Sequence, residues 1–498
     1  QFKNWTKNTE HDDKLLIIHT DDLFTQQGQN KLEKFLSFKI SLRLFIVFLI
    51  LFILFLIFFS GVVRHTTIGG KKFGKFGAFA ESVAKFPRDI GIIIDRGINR
   101  YLNNLSVVPL KDEGNESGEL KIFNENKFDG GYIVFSAYST DYERNIVYLY
   151  DLNQKKYIWK WVPDPAAVLK NEPLSKTGQL KYQLNIGWNA DDLQYSTKIF
   201  HPRHPLLMKD GSVIFHPGAG APLLKLSACS EMEWINYNFF HHSVEKINED
   251  KIMTTITTDI NKKNDIGKFF KDDGYAIVDT KSGIILKEES IIDILIENDY
   301  EYLVLGRPWS TNVIHLNDSQ PIFVSDDYVK EGDIAFSSRH LSTVFLYRPE
   351  EKKIVWLKSG PWIAQHDIDY LGEGIFSIYG NNNYLNMPGY KIDRVNPNSK
   401  NKTKLYFYDT KNNTVSLPFE KPMNINDFNR SSSGTQRVID KNKLFIDIDY
   451  SLYFMDKEEI IWKFDKLVGN TNKSFFRWST YFKNEEINLN WINKTKCK

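Results

Sequence analysis

The stretch Val344-Phe345-Leu346-Tyr347 is followed, after a polar turn, by Val355-Trp356. It alternates as a half-buried strand does, turns, and returns in a second strand that ends on Trp. The same unit occurs at Val147-Tyr148-Leu149-Tyr150-Asp151 with Ile158-Trp159, and at Leu224-Lys225-Leu226-Ser227 with Trp234. It returns at Ala276-Ile277-Val278-Asp279 with Ile284-Ile285, at Leu405-Tyr406-Phe407-Tyr408-Asp409 with Val415, and at Tyr453-Phe454-Met455-Asp456 with Ile461-Trp462. Six such hairpins predict an all-β chain built as a six-bladed β-propeller, each hairpin forming the outer half of a blade.

A β-sandwich also contains hairpins, but it does not explain what precedes them. His242-Ser243-Val244-Glu245-Lys246-Ile247-Asn248-Glu249 can be laid on His366-Asp367-Ile368-Asp369-Tyr370-Leu371-Gly372-Glu373, with the imidazole, the acidic residue and the closing Glu in register. His315 and His340 fall in comparable segments, and Arg339 stands in Phe336-Ser337-Ser338-Arg339-His340. A histidine at the same point of successive units is how a toroidal fold aims several imidazoles at one axis. Any one of these residues, alone, reads as a half-buried structural side chain. Together, a guanidinium fork and several imidazoles make a cup for a tetrahedral oxyanion, with a neutral imidazole available as nucleophile. A transition metal is the competing use of three histidines, ranked second because Arg339 repels a cation. His201, His204 and His216 flank a proline-bounded run, where a funnel position and a structural one are equally open. Adjacent strand residues point to opposite sides, so His241 and His242 compete for the funnel, and the repeat favours His242.

Bulk composition narrows the rest. In 498 residues the formal net charge is +2, with basic and acidic residues interspersed, so no field argues for nucleic acid. No Walker, Rossmann, HExxH or nucleophile-elbow motif is present, which leaves no cradle for a nucleotide donor. The two cysteines, Cys229 and Cys497, are far apart and suggest neither a disulfide framework nor a CxxC metal site. Leu44 to Val63 is a run of 20 uncharged residues, mostly Leu, Ile and Phe, long enough to cross a bilayer as a helix. Basic residues on its two sides nearly balance, so charge alone does not orient it. The expected boundaries are a polar tail over 1–43, the anchor over 44–63, and a linker with an amphipathic helix over 64–125. The propeller follows over 126–465, and a C-terminal extension over 466–498.

The ordered set Phe240-His241-His242-Ser243, Val313-Ile314-His315-Leu316-Asn317-Asp318, Phe336-Ser337-Ser338-Arg339-His340 and Gln365-His366-Asp367-Ile368 resembles the bacterial arylsulfotransferases that do not use the nucleotide sulfate donor. Leu341-Ser342-Thr343-Val344 and Gln436-Arg437 add to the likeness, which covers about 126–465. The resemblance implies a six-bladed propeller and ping-pong transfer of a sulfuryl group from an aryl sulfate to a phenol, with no cofactor and no metal. It implies that His366 becomes sulfated, that His242, His315 and Arg339 hold the sulfuryl oxygens and assist the leaving phenolate, and that His241, His340 and Arg437 contact substrate. It also implies a propeller outside the inner membrane. Val313 departs from an acidic-aromatic pair common in the family, and the cysteine spacing departs from the disulfide some members carry near the nucleophile. Two other classes stay open: a membrane-anchored binding or scaffolding propeller, and a metal-dependent hydrolase built on the histidines. Oligomeric state is not readable from the sequence.

Overall fold

The computed structural model describes residues 42–67, 72–80, 82–84, 118–170, 200–218, 221–258, 266, 270–307, 312–382, 402–426, 428, 434–448, 450–468 and 472–497. The polar tail before residue 42, and most of the amphipathic helix expected after residue 81, lie outside them. The chain divides into two compact units, 1–108 and 109–498.

In the first unit, helix α1 spans Leu42–Thr67 and contains the whole apolar run. Arg43 to Thr66 is long and apolar enough to cross a membrane, with most of its side chains exposed. A helix with Leu, Ile and Phe on every side has no polar face to give to water, so lipid is the solvent that suits it. Within the expected linker, residues 74–80 are helical.

The second unit is a propeller-like arrangement of antiparallel sheets. The first sheet holds Tyr132–Ser139, Arg144–Asp151 and Lys156–Trp161. The second has seven strands, from Arg203–Leu207 to Ile285–Ser290. The third runs from Leu316–Pro321 to Lys353–Ser359, and the fourth from Ile368–Gly372 to Thr414–Ser416. The fifth begins at Gln436–Ile439 and includes Ile460–Val468. Five sheets therefore stand among the described residues where six separate ones were expected. The reason is the 15-residue strand Met232–Lys246, which pairs with Ala221–Leu226 through its first part and with Lys251–Thr257 through its second. Its register breaks between His241 and Val244, the kind of bulge that bends a strand and re-aims a side chain.

Apolar side chains fill the space between neighbouring sheets. Val147, Leu149 and Trp161 of the first sheet pack with Phe215 and Leu224 of the second. Tyr275 of the second meets Phe336 and Phe345 of the third, and Val344 of the third meets Phe376 and Ile378 of the fourth. Tyr379 and Leu405 of the fourth then pack with Leu444 and Ile446 of the fifth, and Phe464 of the fifth returns to Phe135 of the first. The first and last strands of this unit interlock as well. Thr480–Phe482 pairs with Tyr132 to Val134 in the first sheet, while Gly118–Ile122 pairs with Ile460–Val468 in the fifth. The sheets thus reach past 126 and 465 on both sides, where an open edge strand would present unpaired backbone groups.

This closure corrects the reading of the cysteines. Cys229 and Cys497 form a disulfide with their Cα atoms 5.3 Å apart and a sequence separation of 268. The C-terminal segment has returned to the first and second sheets by then. Trp491 lies against Trp159 and Trp161, and its ring fills the space that a Cβ on Gly211 would need.

Candidate functional site

A cavity of about 190 Å³ lies among Arg203, His242, His315, Arg339, His366, Arg477 and Trp478. The four residues expected to carry the chemistry, His242, His315, Arg339 and His366, therefore converge in one place. The His242 ring centroid is 5.1 Å from that of His315 and 6.1 Å from that of His366. Of the two histidines that competed for the funnel, His242 lines the cavity and His241 stands behind it.

Local backbone geometry explains the convergence. His242 sits in the register break of its long strand with φ of 56°, and His315 precedes its strand with φ of 48°. His204 and Trp478 adopt the same left-handed conformation, with φ of 47° and 63°. Non-glycine residues rarely sit there, and each such residue costs about 1–3 kcal/mol. The conformation turns a side chain that a regular strand would bury between sheets towards the axis. Neighbouring groups hold these turns: His216 Nε2 lies 3.0 Å from the His242 carbonyl, and the His315 carbonyl accepts from the Arg339 N–H at 2.9 Å.

Hydrogen bonds fix the tautomers of His366, His315 and His340. His366 Nδ1 donates to Asn381 Oδ1, which places the ring's lone pair on Nε2. The ring of His242 meets His241 at 2.8 Å between their Nδ1 atoms, and His241 Nε2 is 3.3 Å from Asp273 Oδ1. Thr255 Oγ1 lies 3.1 Å from the same His241 Nδ1, so His241, Thr255 and Asp273 form a buried polar backing for the His242 ring. Asn312 Nδ2 donates to His315 Nδ1 at 2.9 Å, so His315 carries its proton on Nε2 and presents a donor. His340 stacks on His315 with centroids 4.2 Å apart. Its Nδ1 donates to the Asn312 carbonyl at 2.5 Å and its Nε2 accepts from Arg339 Nη1 at 2.9 Å. His340 thus aims the guanidinium and does not itself line the cavity.

Burial sets the charge states. It holds His242 and His315 well below the ordinary imidazole range, with the neighbouring histidines adding to the effect. The same cause lowers His204 and His216 to about 3. Asp273 stays ionised: Lys271 and His241 hold it low against the opposing effect of burial. Arg203 is lowered by burial to about 10 and remains a cation at neutral pH. His242 and His315 are therefore neutral imidazoles beside cationic guanidinium groups, and none of the residues that line the cavity is a carboxylate. Such a wall suits an oxyanion. Among the described residues, no group of three His, Cys, Asp or Glu is placed to hold a metal ion.

Arg437, expected to contact substrate, is not in this cavity. Its guanidinium pairs with Glu486 through two bonds of 2.9 and 2.7 Å, and it lines a separate chamber of about 650 Å³ with Glu245, Asp367 and Asp369. Burial displaces all three upward, and Asp367 adds to the effect at Asp369 and at Glu245, which rises to about 8. Trp478 lines both chambers. Three residues of the smaller cavity had no reading as site residues: Arg203, Arg477 and Trp478. Arg203 directly precedes His204, whose place at the funnel was left open, but Arg477 and Trp478 stand in no repeat.

Fold and cavity together define a class, a β-propeller-like protein with a cavity lined by histidine and arginine. Residues 223–452 match the family model described as arylsulfotransferase (ASST), so over that segment the chain is similar to the arylsulfotransferases. His242, His315, Arg339 and His366 all fall inside the match. No curated protein matches the chain by sequence. Among solved structures, a protein of unknown function from Bacteroides caccae is similar at 9% identity, covering 70% of this chain and 98% of that one, with a TM-score of 0.40. Hydrazine synthase of Kuenenia stuttgartiensis is similar at 6% identity over 63% of this chain and 70% of that one, with a TM-score of 0.35.

Proposed function

We propose that the protein moves a sulfuryl group from an aryl sulfate to a phenol, without a nucleotide donor, through a sulfated His366. The observation that carries this reading is the His366 ring, whose Nδ1 is tied to Asn381 while the ring itself lines a cavity shared with Arg339, His242 and His315. In the first half-reaction the Nε2 lone pair attacks sulfur, the bond from sulfur to the aryl oxygen breaks, and phenolate leaves with the electron pair. Arg339 and the His315 Nε2–H hold the equatorial oxygens, where fixed donors lower the barrier without reorganising. In the second half-reaction an acceptor phenol loses its proton to His242 Nε2 as its oxygen attacks sulfur and the N–S bond breaks. That proton is then available to the next leaving phenolate, so the cycle balances.

We count the propeller as six blades, taking Met232–Lys246 as the outer strand of one and the inner strand of the next. Met208, Ile214 and Leu223 packing against Phe240, Val244 and Ala276 support a blade interface inside the seven-stranded sheet. We place this unit on the outer side of the inner membrane, a reading supported by the Cys229–Cys497 disulfide, since such bonds persist in oxidising compartments. The test is turnover by the full-length protein in detergent, with a chromogenic aryl sulfate and a phenol, against the nucleotide sulfate donor. Phenolate release and phenol sulfation with the ester alone support the proposal. Transfer that requires the nucleotide, or none from either donor, overturns it.

A further inference from the structure

The cavity holds more positive charge than a simple aryl sulfate brings negative. Among the described residues, Arg339 has only the neutral His340 as its side-chain partner, and its Nε is buried without a hydrogen bond. Arg203, which lines the same cavity, has an Nε in the same condition. The acid behind the wall, Asp273, already faces His241 at 3.3 Å and Lys271 at 3.6 Å, so its charge is answered there. Arg477 brings a third guanidinium, which lies 4.3 Å over the Phe475 ring, and the balance is struck without it. An aryl sulfate monoanion neutralises one of the first two and leaves the other cationic in a site lined by half-buried and buried residues, its Nε away from solvent, where a bare charge is costly.

From this balance we propose that the molecule bound here is a dianion: an aryl sulfate whose ring carries a second acidic group, the sulfuryl end at Arg339 and the second acid at Arg203. The proposal rests on the sulfotransferase reading for its orientation. Trp478 supplies the platform between the two ends. Its ring is 6.2 Å from His366 and 6.3 Å from His242, and it also stacks on His204, the neighbour of Arg203, at 5.2 Å. An aryl ring lying along Trp478 would have one edge towards the histidines and the other towards Arg203. A guanidinium there recognises carboxylate, sulfonate or sulfate alike by a two-pronged hydrogen bond. Arg203 and Trp478 both lie outside the matched segment 223–452, so the selectivity would belong to parts of this chain that the family match does not describe.

Equilibrium binding of two unreactive probes tests this apart from catalysis. Benzenesulfonate and benzene-1,3-disulfonate are titrated into the full-length protein at one fixed ionic strength, beside Arg203→Gln and Arg203→Lys. The disulfonate should bind about 10–100-fold tighter than the monosulfonate to the unaltered protein, as a charge-assisted pair allows. Arg203→Gln should bring the two within about threefold while changing monosulfonate binding little, and Arg203→Lys should keep part of the preference. Equal affinities in the unaltered protein would overturn the proposal, and so would an Arg203→Gln variant that weakens both probes alike. If Arg203→Gln does not fold, the comparison in the unaltered protein decides alone. Disulfonate preference without any sulfuryl transfer would remove the sulfotransferase reading and leave the dianion site standing.

Discussion

Replacing Asn381 with alanine takes away the carbonyl that accepts the His366 Nδ1–H, while leaving every residue of the cavity wall in place. Asn381 and His366 are both buried, so the abandoned N–H lies away from solvent. Leaving a buried donor unsatisfied costs about 1–3 kcal/mol. Much of that cost is escaped only by moving the proton to Nε2, the atom that attacks sulfur in the proposed mechanism. Each 1.36 kcal/mol corresponds to about tenfold in rate, so Asn381→Ala should slow phenolate release by about 10–100-fold. KM should change little, since Asn381 does not line the cavity. The assay is the pre-steady-state burst of phenolate from a chromogenic aryl sulfate, read beside a melting curve that shows the variant folded. Asn381→Asp should keep the tautomer and most of the rate, and its carboxylate should move the acid limb of the burst to higher pH. A folded Asn381→Ala with an unchanged burst rate would refute the idea that this bond prepares the nucleophile.

Arg348 meets Asp333 through two bonds of 2.8 and 2.9 Å, with Asp333 almost fully buried, so Arg348→Ala should lower stability by about 3 kcal/mol, seen as a shifted urea midpoint. Cys497→Ser opens a loop of 268 residues and should cost about 2–4 kcal/mol, and non-reducing peptide mapping of the parent should recover Cys229 linked to Cys497. Burial and Asp367 raise Glu245 from 4.5 to about 8, so between those values the folded protein holds a proton the unfolded chain has released. Its contribution to stability should therefore fall as pH rises through that window and level off above about 8. His204, lowered from 6.5 to about 3, acts in the other direction, its contribution being lost as pH falls below 6.5. Above 6.5 the Glu245 effect is no longer opposed by His204, and Glu245→Gln should flatten the decline in melting temperature up to about pH 8. An undiminished decline would show that Glu245 is not its source.

Much of this architecture is visible in the sequence because its signals are local. Twenty apolar residues from Leu44 need only their own length to declare a span. Hairpins such as Val344 to Trp356 declare themselves by alternation, and the histidines at His242 and His366 by their shared register with an acid three positions on. What escaped reading depends on distant chain segments. Met232–Lys246 reads as the end of one hairpin at Trp234 and the start of another unit at His242, and nothing local says that one strand joins them. Thr480–Phe482 is three residues long and becomes a strand only because Tyr132–Ser139 offers an open edge. The same return of the chain carries Arg477 and Trp478 to the cavity and Cys497 to Cys229. Arg437 resembled a substrate contact by its motif, but Glu486, 49 positions later, claims its guanidinium. The left-handed residues at His204, His242, His315 and Trp478 are the least legible, since a histidine or tryptophan gives no local sign that it will adopt that conformation.

Whether His366 is the nucleophile can be read by incubating the full-length protein with an aryl sulfate and no acceptor, then mapping the product by peptide mass spectrometry. One sulfuryl group should be found on the His366 imidazole. It should be labile to acid, discharged by added phenol, and missing from His366→Ala, where the covalent intermediate has no imidazole to form on. An adduct mapped to another residue, or full turnover in His366→Ala, would contradict this.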